Sequence, residues 1–148
     1  MKRLIFAFLA IGLMWMTGCQ KENRGLTGLQ DGKLQKCPDT FSCVCTQDPR
    51  DRYRMDPIPY TGTQEEARQK LLSVIRRMLQ STLVKATPDY IHVEFRSSFF
   101  EFVDDVEFLF DDNAKLIHFR SASRVGYYDF NVNRSRMEDI RRRVMGFG

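Results

Sequence analysis

Apolar and polar residues alternate through the second half of the chain. Over residues 91–96, Ile91, Val93 and Phe95 fall on one side, and His92, Glu94 and Arg96 on the other. Period two marks a strand with one buried face. Residues 99–110 continue the pattern, with Phe100, Phe102, Asp104, Val106, Phe108 and Phe110 at even positions and Glu101, Asp105 and Glu107 at odd ones. A third run, residues 115–124, sets Ile117 and Phe119 against His118, Arg120 and Arg124. Between the last two runs, Asp111-Asp112-Asn113-Ala114 is turn chemistry, and Asn113 tolerates a left-handed backbone. A hairpin centred there pairs Phe108 with Ile117, Val106 with Phe119 and Asp104 with Ser121. On the opposite face it pairs Glu107 with His118, Asp105 with Arg120 and Glu101 with Arg124. Each matched pair contributes roughly 0.2–1 kcal/mol, and a one-residue slip would turn every apolar side chain outward. Ser97-Ser98 predicts a first hairpin, with Phe95 opposite Phe100 and Val93 opposite Phe102. That register also opposes Glu94 and Glu101, a like-charge pair that needs Arg124 nearby.

Helical periodicity sits on either side. In residues 63–80, Ala67, Leu71, Val74, Ile75 and Met78 form one stripe, Thr63-Gln64-Glu65-Glu66 reads as a capping box, and Arg76 and Arg77 suit the C-terminal end. Residues 82–87 read as a short strand, and Pro88-Asp89 turns into the sheet. Ser135-Arg136-Met137-Glu138 reads as a second capping box, ahead of a narrow Met137, Ile140, Val144 stripe flanked by Arg141, Arg142 and Arg143. Residues 48–62, with Pro49, Pro57 and Pro59, read as an extended surface loop. The pattern predicts one α+β domain: a long helix, an antiparallel sheet of three to four strands, then a shorter C-terminal helix. Both helices are expected on the face lined by Phe95, Phe100, Phe102, Val106, Phe108 and Phe119.

The first residues change the compartment. Met1-Lys2-Arg3 is basic, residues 4–15 are apolar, and small residues follow, which is the plan of a secretory signal. Met16-Thr17-Gly18-Cys19 resembles a bacterial lipobox, which implies cleavage after residue 18 and a lipid on Cys19. An ordinary cleaved signal or an uncleaved anchor is the alternative. Gln20 after the lipidated cysteine resembles outer-membrane sorting, facing the periplasm. Residues 19–36, with Gly25, Gly28 and Gly32, read as a flexible tether, and residues 37–148 as the single domain of the 148-residue chain. The formal charge of +4 falls to +2 once Lys2 and Arg3 leave. So mild an excess in an exported protein does not call for nucleic acid. The partners expected are membrane lipid through Cys19 and an envelope protein.

Three cysteines follow the tether, at 37, 43 and 45. In an oxidising compartment a disulfide is expected, either Cys37–Cys43 or Cys37–Cys45. Either would contribute on the order of 2–3 kcal/mol by loop entropy. Cys43–Cys45 would close a strained ring. No zinc spacing, Cys-x-x-Cys pair or haem motif is present, so no metal or cofactor is expected.

Cys37-Pro38 with Cys43-Val44, then FVDDVEF over residues 102–108, then RSASRVGYYDFNVNRSRMEDIR over 120–141 together resemble a bacterial and plastid family catalogued as the domain of unknown function 1499. The likeness covers roughly residues 28–142. It implies an exported, often membrane-attached protein without an assigned activity. It favours Cys37–Cys43 as the bridge, with Cys45 as the spare thiol. Phe41-Ser42 stands where Pro-Asn is common in the family, and Cys45 where Ser is common.

Arg120, Ser121, Ser123, Arg124, Asp129, Asn131, Asn133, Arg134 and Arg136 fall within seventeen residues. One reading makes them interlocked ion pairs, with Asp104, Asp105, Glu107, His118, Asp129 and Asn133 as polar partners. The other makes Arg120, Ser121, Ser123, Arg124 and Arg134 an anion pocket for phosphate, carboxylate or anionic glycan. Asp104 stands on the face expected to be buried, where a carboxylate needs partners or must be neutral. It implies a bulge at Val103-Asp104-Asp105, a hydrogen bond to Ser121, or a polar site cut into the sheet. There is no recognisable nucleophile–base set, so no residue is assigned as catalytic. The leading expectation is a lipid-anchored envelope module of interaction or structure. A small-anion binder is second, and a hydrolase using His118 and the acids is third.

Overall fold

Six strands form one antiparallel sheet in the computed structural model, which describes residues 27–97 and 102–146. The strands are β3 (Cys43–Cys45), β4 (Ile58–Pro59), β5 (Ser81–Ala86), β6 (Tyr90–Arg96), β7 (Val103–Asp111) and β8 (Leu116–Ser123). β5, β6, β7 and β8 follow one another as neighbours, and β3 and β4 both pair with the far side of β8. A separate two-stranded ribbon, β1 (Leu29–Gln30) with β2 (Lys33–Leu34), lies within the stretch read as tether. The helices are α1 (Gln64–Arg76) and α2 (Val132–Met145), of 13 and 14 residues.

This corrects the expected fold class. The fold is mostly a six-stranded antiparallel sheet with two short helices, not a long N-terminal helix on three or four strands. β3 and β4 have three and two residues, too short to show periodicity, and become strands only because the free edge of β8 offers them partners. α1 stops at Arg76 rather than Gln80, where the Ser81 hydroxyl donates to the carbonyls of Ile75 and Met78, each at 3.0 Å. Its capping box is as read, with Thr63 Oγ1 accepting from Glu66 N–H. The second one is not. α2 begins four residues earlier, Ser135 lies inside it, and its first N–H groups are taken by Asp129, which accepts from Asn131 at 3.0 Å and Asn133 at 2.9 Å.

Both hairpin registers also differ. β7 and β8 pair Phe108 with Phe119, Phe110 with Ile117 and Glu107 with Arg120, two residues from the expected alignment. The turn is four residues closed by Asp111 and Leu116, and Lys115 (φ 57°) takes the left-handed position instead of Asn113. β6 and β7 pair Val93 with Val106 and Phe95 with Asp104, four residues from the expected alignment. Phe100, Glu101 and part of the expected Ser97-Ser98 turn lie outside the described residues. Both offsets are even, so every side chain keeps its face. Alternation determines parity, and loop length determines register.

The inner face therefore buries what was expected. Ile91, Val93, Phe95, Val106, Phe108, Ile117 and Phe119 meet Leu71, Leu72 and Ile75 of α1 and Met137, Ile140 and Val144 of α2. Phe102 is the exception, half exposed just before β7. The outer face carries a second, smaller cluster in which Leu34, Cys37, Cys43, Cys45, Tyr53, Tyr90, Leu109 and Ala122 pack together. Every residue of both clusters lies between positions 34 and 144, so this stretch holds the whole core of the described fold.

Candidate functional site

Two polar constellations flank the sheet, one on each face, because successive β8 residues point to opposite sides. On the outer face, Glu107 is fully buried and accepts from Tyr90 Oη at 2.6 Å, Gly28 N–H at 2.6 Å and Arg120 Nη1 at 3.2 Å. Two residues along the same strand, Asp105 is 1% exposed. It accepts from His92 Nε2 at 2.7 Å and from Arg124 Nε and Nη2, each at 2.8 Å. Arg124 also pairs with Glu94. Burial raises the Asp105 carboxyl, but the hydrogen bonds from Arg124 and His92 outweigh it and hold the group at about 2. The same pairing raises Arg124, and burial together with Glu107 raises the Tyr90 phenol.

The second constellation lies on the inner face, where α2 begins. Asn133 is fully buried, and its Nδ2 donates to Ser42 O at 3.1 Å, Ser123 Oγ at 3.0 Å and Asp129 Oδ2 at 2.8 Å. Its Oδ1 accepts from Ser121 Oγ at 2.5 Å and Arg136 Nη1 at 3.0 Å. Arg136 reaches on to Asp104 at 2.6 Å and lies 4.8 Å from the Phe95 ring centre. Asp104 thus sits on the helix-facing side without a bulge, 8% exposed, with an arginine partner supplied by α2 rather than a bond to Ser121.

The expected residues therefore divide. Asp105, Glu107, Arg120 and Arg124 share the outer face; Asp104, Ser121, Ser123, Asp129 and Asn133 share the inner knot. Arg134 joins neither, and its guanidinium donates to the carbonyls of Arg52 and Arg54 at 3.2 and 3.4 Å. His118 stands opposite Leu109, not Glu107, with Nδ1 3.2 Å from Thr46 Oγ1, and burial lowers its pKa. Arg124 finds Asp105 and Glu94, while Arg120 finds Glu107 instead of Asp105. Cys19 lies outside the described residues. Cys37 and Cys43 are disulfide-bonded, with Cα atoms 5.7 Å apart, and Cys45 is a free, buried thiol that burial pushes above its usual pKa.

Two surface features complete the picture. Arg120, Ala122 and Ser123 help line a cleft of about 940 Å³ under the β1–β2 ribbon, with Lys33, Lys36 and Gln47 around it. Arg120 Nε is buried there without a hydrogen-bond partner. The loop between β8 and α2 presents Tyr127, Tyr128 and Phe130 beside Phe41, at 63, 54, 83 and 48% exposure.

The family profile described as protein of unknown function (DUF1499) matches residues 33–144, three quarters of the chain. The chain belongs to this family. No curated protein and no solved structure matches it. In this DUF1499 chain the matched span takes in the bonded cysteines, every side chain of both constellations and the aromatic loop, and leaves out only the Gly28 N–H that donates to Glu107.

His92 and Tyr90 are polar partners that reading the sequence did not single out as site residues, whereas Arg136 stood in the expected polar cluster and Glu94 was already set beside Arg124. His92 and Glu94 were visible at alternating strand positions, on the face that also carries Asp105. The pairing of Arg136 with Asp104 carried no signal, since a helix boundary set four residues late puts Arg136 at a helix start rather than on the buried side of α2.

Proposed function

We propose that this protein is a lipid-anchored cell-envelope module that works by contact with a partner rather than by turnover. The observation that carries this reading is the exposed cluster of Phe41, Tyr127, Tyr128 and Phe130. A contiguous apolar surface of this kind marks interaction sites. The charged side chains beside the sheet support the same reading, because Arg124 and Arg136 are spent on Asp105, Glu94 and Asp104. The basic start, the apolar run and Met16-Thr17-Gly18-Cys19 support lipidation at Cys19 and a place in the bacterial envelope, with Gln20 supporting the outer membrane. The test is the intact mass of the chain extracted from the envelope fraction. The expected product begins at Cys19 and carries acyl chains. A chain cleaved elsewhere, or one that is acyl-free and recovered in the soluble fraction, overturns the anchor.

A second reading has its own observation. Arg120, with its unpaired buried Nε, borders the cleft that Lys33 and Lys36 also line. A small phosphate or carboxylate ligand would find positive charge there. Thermal melting with inorganic phosphate, citrate and anionic glycan fragments tests it. A ligand at a hundred times its dissociation constant stabilises by about 2.7 kcal/mol, and the rise should vanish in Lys33→Ala/Lys36→Ala. No rise with any of them removes the reading.

A further inference from the structure

The aromatic cluster is built, not loose. Phe41 and Tyr127 meet edge to face at 5.3 Å, Tyr128 and Phe130 at 5.1 Å, and Phe41 lies 6.4 Å from Tyr128. Phe41 N–H donates to Tyr127 O at 2.6 Å, and Ser42 Oγ donates to Gly126 O at 3.1 Å. From behind, the Asp129 carboxylate holds the N–H groups of Asn131 and Asn133, so its charge is directed into the protein. Phe130 and Asn131 both take positive φ, at 54° and 63°. For a bulky side chain such as Phe this backbone is an outlier, and outliers persist where the surroundings over-determine them. Here they hold the Phe130 ring out into solvent at 83% exposure. A surface already fixed in shape loses little conformational freedom when it docks.

The chain outside the described residues indicates what the cluster meets. A basic start and an apolar run, residues 4–15, precede Cys19. Eight residue steps separate Cys19 from Thr27, a reach of about 28 Å at full extension. A compact domain of this length is roughly 35 Å across. A domain on so short a connection never leaves the bilayer by more than its own width, so even a weak surface contact is made at high effective concentration. Tyr and Phe rings beside guanidinium groups match the headgroup level of a bilayer, where rings enter the apolar boundary and polar tips stay wet. Arg52, 5.7 Å from the Phe41 ring, and Arg134, on the same small hollow as Tyr128, supply those groups.

We propose that Phe41, Tyr127, Tyr128 and Phe130 form a membrane-docking surface that inserts into the interface of the bilayer to which the chain is tethered. This rests on the envelope reading for the presence of that bilayer, but not for the contact itself. Docking would orient the sheet and leave the cleft under the ribbon in a defined direction relative to the membrane.

The chain from Gln20 onward suits the test, because it contains the whole core and no tryptophan, the single one being Trp15. Phe130→Trp then places one indole in the aromatic cluster as the sole reporter. Its emission is read on titration with phosphatidylcholine vesicles carrying a minor fraction of phosphatidylglycerol, with and without brominated acyl chains. Val84→Trp, on the edge strand farthest from β3, is the control. The expected result is a blue shift and bromine quenching of the Phe130→Trp variant that persist at high salt, with Val84→Trp unmoved. Adding Tyr128→Ser should weaken partitioning about tenfold while the melting midpoint stays near that of Phe130→Trp alone. No shift, a shift equal at both positions, or a shift abolished by salt overturns the proposal, and a surface reserved for a protein partner would give the first of these. Because this chain lacks residues 1–19, its outcome is independent of Cys19. An acylated Cys19 with no vesicle binding removes the docking surface alone, and binding without acylation removes the anchor alone.

Discussion

Asp105→Asn tests the outer-face network most directly. Asp105 is almost fully buried and accepts three hydrogen bonds, from His92 and twice from Arg124. Its carboxyl is held at about 2 in the fold, against about 3.9 in an unfolded chain. The folded value is the lower one, so the stabilisation is fully present above the unfolded value and is lost as pH falls toward the folded one. The difference corresponds to about 2.5 kcal/mol at pH 7. Asp105→Asn removes the charge, keeps the shape and leaves Arg124 with Glu94 alone. The variant should be about 2–4 kcal/mol less stable at pH 7. With a urea slope of about 1–3 kcal/mol/M, the midpoint should drop by roughly 1–2 M. Far-ultraviolet circular dichroism is the natural probe, since the domain has no tryptophan. The gap between the two proteins should hold from pH 7 to about pH 5 and close between about pH 4 and pH 2. Other acids titrate in both proteins and cancel in the difference. A gap of the same size at neutral pH and near the folded value, or none at neutral pH, would refute the assignment.

Glu107→Gln should be more damaging, because it strands the buried Arg120; a loss of about 3–5 kcal/mol is expected, seen as a melting midpoint lower by roughly 10–15 °C. Asn133→Ala opens the knot among Ser42, Ser121, Ser123 and Arg136 and should cost about 2–3 kcal/mol; a fall in midpoint under about 2 °C would show that water replaces the amide. In the oxidised native protein Cys45 should resist a thiol reagent and react only on unfolding, and reducing Cys37–Cys43 should lower stability by about 2 kcal/mol, read from urea midpoints with and without reductant. Burial lowers the His118 pKa, so its ring resonances should titrate below the usual value. The stability it contributes should be present above about pH 6.5 and decline as pH falls below it, a decline that His118→Gln removes.

How far the site could be read in advance follows from the distance over which each contact acts. Face assignments along β6, β7 and β8 depend on side chains two residues apart, and alternation predicts them correctly. The individual pairs did not follow. The hairpin pairing of Asp105 with Arg120 and Glu107 with His118 satisfies charge as well as the observed one does, and a two-residue slide costs nothing in apolar pairing. Loop geometry at residues 112–115 chooses between them, through the left-handed backbone at Lys115. β3 and β4 were hidden for a related reason. Cys43–Cys45 and Ile58–Pro59 have no pattern of their own and exist as strands through β8.

Local order along the chain was enough for the parity of the three long strands, the capped start of α1, the family, and the expectation of a cysteine bridge. Each depends on neighbours a few positions apart or on a motif that survives as a string. Folding the whole chain was needed to choose which acid meets which base, to bring Arg136 of α2 to Asp104, and to set Arg134 apart from Arg120 and Arg124. It also brought Phe41, far away in the chain, against Tyr127 and Tyr128. Those outcomes depend on where loops end and which edges remain open, and such long-range closures are settled by packing all the elements at once.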